Sequence, residues 1–451
     1  MKQLTEKLNQ NKYTLSIAFS VMFLLGFLSM LFPSANNVLL GVSVGFFTLL
    51  CVFLNVTNAL SLMITMLPYL SFTFKFVEMS YFYWISSMFA MVFLIKYIIE
   101  CAKGRKKVYI APLVLSVAIV LFGFYNFNIK NILNFYSNLL FLGSCYIIFC
   151  YYKEINVKKV CYHFVAGLIL SIFLTCLVYL IKDARYLVVT PYDRLKFFCA
   201  NPNYMQSQAI IALAIIVVAV FKYNLVWYYS IPASATICVA GFLTNSKTFL
   251  VLLCILALLY ACNLITSKNR KNYTAIVVFV CVFTVVVLAC SGYILDTIDR
   301  FGESGFDKVL DNIFTGRYSI WKMYLTEWAS SPMTIFFGKG VCFDTLGIDT
   351  HSSYILLLFE YGLIGVLLIA GLIYAYITCA DKNRTLSKTS FIPLVCFLLN
   401  IVEESFIGKK CAWLLILCIM VAFVPIEKTN EQTVKTKERK IEDGNKDFGV
   451  D

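Results

Sequence analysis

Apolar stretches close to the roughly 20 residues that carry a helix across a 30 Å hydrocarbon core recur along nearly the whole chain. In the first half they are Thr14–Phe32, Val38–Val56, Thr57–Phe76, Ser80–Ile99, Tyr109–Tyr125, Ile132–Tyr152 and Val160–Ile181. In the second they are Met205–Phe221, Leu225–Leu243, Thr248–Ile265, Tyr273–Leu295, Tyr354–Ile377, Thr389–Val402 and Cys411–Ile426. In lipid the backbone must satisfy its own hydrogen bonds, so runs of this length read as helices. Pro68 and Lys75 interrupt the third run, and the last two are short, which sets the expected number of spans at about 11–14. The expected fold is an all-α polytopic membrane protein over residues 1–426, with a disordered tail over 427–451. A soluble enzyme is excluded by 60% hydrophobic and 14% charged residues with a mean hydropathy of +0.80.

A net charge of +13 raises nucleic acid as a partner, but the cations sit in short clusters between apolar runs, where they set membrane orientation. If every run crosses, Lys103–Lys107, Lys153–Lys159, Lys268–Lys271, Lys382–Lys388 and both termini fall on one side, read as cytoplasmic. The first run follows a basic segment with no small-residue cleavage pattern and reads as a retained span. Most of the 17 cysteines lie inside apolar runs, where a thiol acts as a small hydrophobe. Cys199 and Cys342 share the opposite side, where a disulfide or two free thiols are both open, free thiols being favoured.

Two loops on that opposite, extracytoplasmic side are longer than connection requires, at 182–204 and 296–353. Within the larger, Ile320, Trp321, Tyr324, Leu325 and Trp328 recur at helical spacing, and Pro332 ends the pattern. The chemistry-bearing residues cluster there. In Arg194-Leu-Lys-Phe-Phe-Cys-Ala-Asn201-Pro202-Asn203, Asn201 is a candidate cap and Pro202 suits a first turn, so backbone N–H groups would meet an anion beside Arg194 and Lys196. Thr244-Asn245-Ser246-Lys247 opens the next span but one, where Lys247 either attracts phosphate or snorkels to the interface. His351, one of two histidines, has the unperturbed pKa of about 6.5 that suits a general base, or makes a structural hydrogen bond. His163 reads as structural. Asp344 and Asp349 beside His351 match no metal-ligand spacing, and no metal or other cofactor is expected.

Four motifs in order carry a resemblance: Asn201-Pro202-Asn203, Thr-Asn-Ser-Lys247, Gly316-Arg317-Tyr-Ser-Ile-Trp321, and Phe337-Gly338-Lys-Gly340 leading to His351 and Tyr354-(x)5-Glu360-Tyr-Gly362-(x)2-Gly365. Over about Arg194 to Gly365 the chain resembles the O-antigen ligase and polysaccharide polymerase superfamily of bacterial membrane glycosyltransferases. It departs from the family in carrying Lys247 where arginine is usual, which keeps the charge but loses bidentate phosphate binding.

The resemblance implies a metal-independent glycosyltransferase that passes a sugar chain from an undecaprenyl-diphosphate donor to an acceptor glycan outside the bacterial cytoplasmic membrane. A flippase or chain-length regulator would be its partner. Arg194, Lys247 and Arg317 would hold the diphosphate, with Asn203 beside them, and His351 would take the acceptor proton. Arg300 is a candidate contact or a solvated charge, and Glu360 would orient His351 or support the loop. Polymerase and ligase share these motifs. A lipid-linked oligosaccharide flippase or secondary transporter is the alternative of another class, and it would need ionisable groups and broken helices near the bilayer midplane.

Overall fold

The computed structural model describes residues 2–11, 13–77, 79–124, 132–223, 225–266, 316–340, 350–379, 388–402 and 412–423. The protein is an all-α polytopic membrane protein, and no β-strand occurs among the described residues beyond isolated bridges. A short helix α1 (Lys2–Gln10) precedes α2 (Thr14–Leu31), α3 (Asn36–Phe53), α4 (Val56–Thr65), α5 (Tyr81–Ala102), α6 (Ile110–Gly123), α7 (Ile132–Cys150) and α8 (Val157–Leu180). After the 182–204 loop come α9 (Pro202–Lys222), α10 (Trp227–Leu243), α11 (Lys247–Thr266), α12 (Arg317–Trp328), α13 (Pro332–Phe337), α14 (Ser353–Cys379), α15 (Ile392–Asn400) and α16 (Ala412–Phe423). Among the described residues, α2, α3, α5, α8, α9 and α14 are long and apolar enough to cross a membrane. Shorter apolar helices occupy the other expected runs, except Tyr273–Leu295, which lies outside the described residues.

Helix α9 is the centre of the bundle, with every residue from Met205 to Ile216 buried. A helix apolar nearly all round has no face to give to lipid, so it is packed by its neighbours instead. The third run departs from a plain span. All ten residues of α4 are buried, capped by Asn55, whose Oδ1 accepts from Asn58 N–H at 2.8 Å. The helix then stops, because Pro68 has no N–H to donate and disfavours helical geometry in the residue before it. Non-helical backbone from Met66 to Leu70 stays buried, and the segment beyond it meets its hydrogen-bonding needs from outside. Ser71 N–H donates to Phe198 O at 2.9 Å, and Tyr81 N–H to Phe72 O at 2.7 Å. Tyr69, Phe72 and Phe198 join Phe19, Phe23 and Phe27 in one aromatic cluster, which locks the broken span to α2 and to the 182–204 loop.

Side-chain bonds sort the helix ends into two groups. At one end Asn9 meets Asn55 and Asn58, Thr57 donates to Glu154 O, Lys106 pairs with Glu100 and Glu154, and Lys222 donates to Ser390. The basic residues of the 103–107 and 153–159 clusters belong to this end. At the other end Asn36 holds Thr73 O, Leu195 N–H donates to Leu243 O, and Ser353 N–H donates to Ile401 O. The 182–204 loop and the described part of the 296–353 loop lie at this second end.

Candidate functional site

The 182–204 loop reaches the site through a tight turn. Thr190 N–H donates to Arg194 O, and Thr190 Oγ1 accepts from the N–H groups of Tyr192 and Arg194 at 3.3 and 3.2 Å. The turn exposes Tyr192 and brings Arg194 back against α9 and α10. Arg194 Nε donates to Thr244 O at 2.8 Å, and an Arg194 Nη donates to Asn203 Oδ1 at 3.2 Å. The helix start is as its sequence suggests: Asn201 caps α9, its Oδ1 accepting from Asn203 N–H at 2.9 Å, and Pro202 takes the first turn. Burial holds the Lys196 ammonium below the usual lysine value. Thr244 is the last turn residue before Asn245 and Lys247, so the carbonyl gripped by Arg194 also fixes the entry to α11, where Lys247 is exposed.

The second group is built around His351. Arg317 opens α12 after Gly316, which adopts the left-handed conformation with φ 81°. One turn later Trp321 Nε1 donates to Thr350 O at 2.9 Å, pinning α12 to the residue before His351. On the other side Thr350 Oγ1 bonds the Ser352 backbone, and Ser353 N–H donates to Ile401 O at 3.0 Å. Arg317 and His351 are therefore held on neighbouring segments by one indole.

A buried network joins the two groups. Gln206 Nε2 donates to Asn400 Oδ1 at 2.9 Å, Asn400 Nδ2 donates to Ser207 Oγ at 2.8 Å, and Ser207 Oγ donates to Asn203 O at 2.7 Å. Asn400 is followed by Ile401, whose carbonyl anchors Ser353. A continuous thread thus runs from Arg194 through Asn203 and Asn400 to the His351 loop.

Glu360 is buried in α14, and it is the backbone there that does the joining. Gly362, at φ 59° and ψ −170°, interrupts the helix. Lys339 N–H donates to Phe359 O at 2.7 Å and Gly340 N–H to Glu360 O at 2.9 Å, serving carbonyls next to the interruption. Gly338 and Gly362 meet so closely that a Cβ on Gly338 would lie 2.5 Å from Glu360 O and one on Gly362 would lie 2.5 Å from Gly338 N. Lys339 Nζ also pairs with Glu327 of α12 at 2.8 Å. The Glu360 backbone carbonyl thus takes part in supporting the 338–340 segment.

Arg300, Cys342, Asp344 and Asp349 lie outside the described residues. Cys199 is buried, with Sγ 3.3 Å from Pro68 O. Sequence reasoning missed the Gln206–Ser207–Asn400 network, since amide and hydroxyl side chains inside an apolar run carry no pattern. It also missed the backbone geometry. Among the described residues the non-glycine residues with positive φ are Asp193, Phe197, Ala200, Asn245 and His351. All five flank or form the candidate groups, and such conformations persist only where surrounding contacts impose them, as at binding sites. In comparison with known proteins, the chain matches no family model and no curated protein.

Proposed function

We propose that the protein is a bacterial surface-glycan polymerase, akin to the O-antigen ligase and polysaccharide polymerase superfamily, acting at the outer face of the cytoplasmic membrane. The observation that carries this reading is the convergence of four separated loop motifs on one end of the bundle, opposite the basic clusters. With the basic end in the cytoplasm, that end faces outward.

The acceptor hydroxyl oxygen attacks the anomeric carbon of the lipid-linked sugar, and the carbon–oxygen bond to the diphosphate breaks. His351 takes the hydroxyl proton. The electron pair leaves on undecaprenyl diphosphate, whose growing charge Arg194, Lys247 and Arg317 stabilise. Arg194 is held before substrate arrives by Thr244 and Asn203, so little reorganisation is needed when charge develops. Ligation to another acceptor uses the same step. His351→Ala and Arg317→Ala are expected to leave the protein in the membrane and to abolish long glycan chains while lipid-linked repeat units accumulate. Normal chain lengths on a glycan gel for both variants would end the reading.

One observation favours transport as a second reading. Helix α4 is a buried half-helix continued by buried irregular backbone, and Thr65 Oγ1 lies 3.4 Å from His163 Nδ1. Accumulation of lipid-linked repeat units on the cytoplasmic leaflet in a strain lacking the protein would support it over polymerisation.

A further inference from the structure

Gln206 is fully buried, at 0% exposure, one turn into α9. Its amide N–H groups are both used, donating to Asn400 Oδ1 at 2.9 Å and Ser207 Oγ at 3.1 Å. Its orientation is dictated by the network. Ser207 gives its proton to Asn203 O, so towards the two amides its oxygen can only accept, and both must point N–H groups at it. Gln206 Oε1 is left over with no hydrogen-bond partner. Buried carbonyl oxygens are rarely left so, because nothing replaces the water they lose.

The orphan acceptor stands between the two candidate groups. Asn203, gripped by Arg194, is three residues before it, and Asn400 leads into the carbonyl that anchors the His351 loop. We propose that Gln206 Oε1 accepts a hydrogen bond from a hydroxyl or amide N–H of the sugar attached to the lipid diphosphate, making Gln206 part of a sugar subsite. This rests on the glycosyl-transfer reading. The diphosphate lies against Arg194 and the first sugar extends over the start of α9 towards His351. Reaching the oxygen requires the flanking loops to part, and the left-handed residues at 193, 197, 200 and 351 already hold those loops away from their backbone minima.

The test compares binding of two probes to the purified full-length protein in detergent: undecaprenyl diphosphate, and the lipid-linked repeat unit extracted from the host strain lacking this protein. Wild type is expected to bind the sugar-bearing lipid more tightly than the bare one. Gln206→Met, matched in length, removes the acceptor and both N–H donors of the amide, and is expected to lose about tenfold more affinity for the sugar-bearing lipid than for bare undecaprenyl diphosphate. A purely structural role would move both affinities together, and that result overturns the subsite. If the methionine variant does not fold, wild type is tested instead with the lipid-linked repeat unit after permethylation, which removes every sugar hydroxyl and amide donor; an undiminished sugar increment there is equally fatal. If wild type binds bare undecaprenyl diphosphate no better than undecaprenol, the parent reading itself fails.

Discussion

Replacing Gly338 with alanine sets two opposing quantities against each other. The 338–340 segment is docked on α14 by two backbone bonds, Lys339 to Phe359 O and Gly340 to Glu360 O, together worth about 2 kcal/mol net. Alanine at φ 73° and ψ −169° would occupy a region open essentially to glycine alone, at a cost of about 1–3 kcal/mol. Its Cβ would also sit 2.5 Å from Glu360 O, 2.6 Å from Glu360 C and 2.7 Å from Gly362 N, all backbone atoms that cannot rotate away. Overpacking of this kind costs roughly 1–3 kcal/mol. The strain therefore equals or exceeds the docking energy, and the segment is expected to leave α14. Hydrogen exchange read by mass spectrometry on the purified protein should show the amides of Lys339 and Gly340 exchanging at least thirtyfold faster, the equivalent of about 2 kcal/mol. Lys339 also bonds Glu327 of α12, so α12 should loosen and glycan polymerisation should fall with it. Unchanged protection at Lys339 and Gly340 would refute the claim that the two glycines exist to let these backbones touch.

Gly167→Ala would bring a Cβ to 2.5 Å from Thr65 O, so the closely packed α4–α8 seam should lose about 1–3 kcal/mol, seen as a lower melting midpoint in detergent. Arg194→Lys keeps the charge but cannot hold Thr244 O and Asn203 Oδ1 together; losing one charge-assisted bond of about 1.5–3 kcal/mol should weaken binding of undecaprenyl diphosphate ten- to a hundredfold, and wild-type affinity would show that the fork geometry is irrelevant. Tyr192 is 85% exposed at the tip of its turn, so Tyr192→Cys should react with a membrane-impermeant maleimide in intact cells, whereas labelling only after permeabilisation would invert the proposed orientation.

What could be read from the amino-acid order follows from the range of the forces involved. Spans are long repetitive signals, and α2, α3, α5, α8, α9 and α14 coincide with their apolar runs to within a few residues. Caps are local, so Asn201-Pro202 predicted the start of α9, and the 320–328 spacing predicted α12, although α12 stops at Trp328 and Pro332 opens α13 behind the Ser331 cap instead of ending α12. Pro68 marked the third run as doubtful but could not say that the chain would continue unwound through the protein, because its missing partners come from residues 71 to 81 and from Phe198. Glu360 illustrates the same limit, since its backbone carbonyl serves Gly340 across a helix break that only the packing of Gly338 on Gly362 explains.

His351 marks the furthest reach of sequence reasoning. Its residue type suggests proton transfer, but its left-handed backbone is set by Trp321, thirty residues upstream, and by Ile401, fifty residues downstream. Few residues other than glycine and asparagine take that conformation without contacts that impose it. Bonds on both sides hold it there, which fixes the direction in which the imidazole leaves the chain. If proton transfer were not required, asparagine would accept the same φ with less strain and keep a hydrogen-bonding side chain. His351→Asn therefore separates the roles: a structural histidine predicts unchanged folding and unchanged glycan chains, whereas a general base predicts the same melting midpoint with polymerisation lost. Full-length chains made by that variant would leave His351 as a well-placed loop residue and remove the reaction from this end of the bundle.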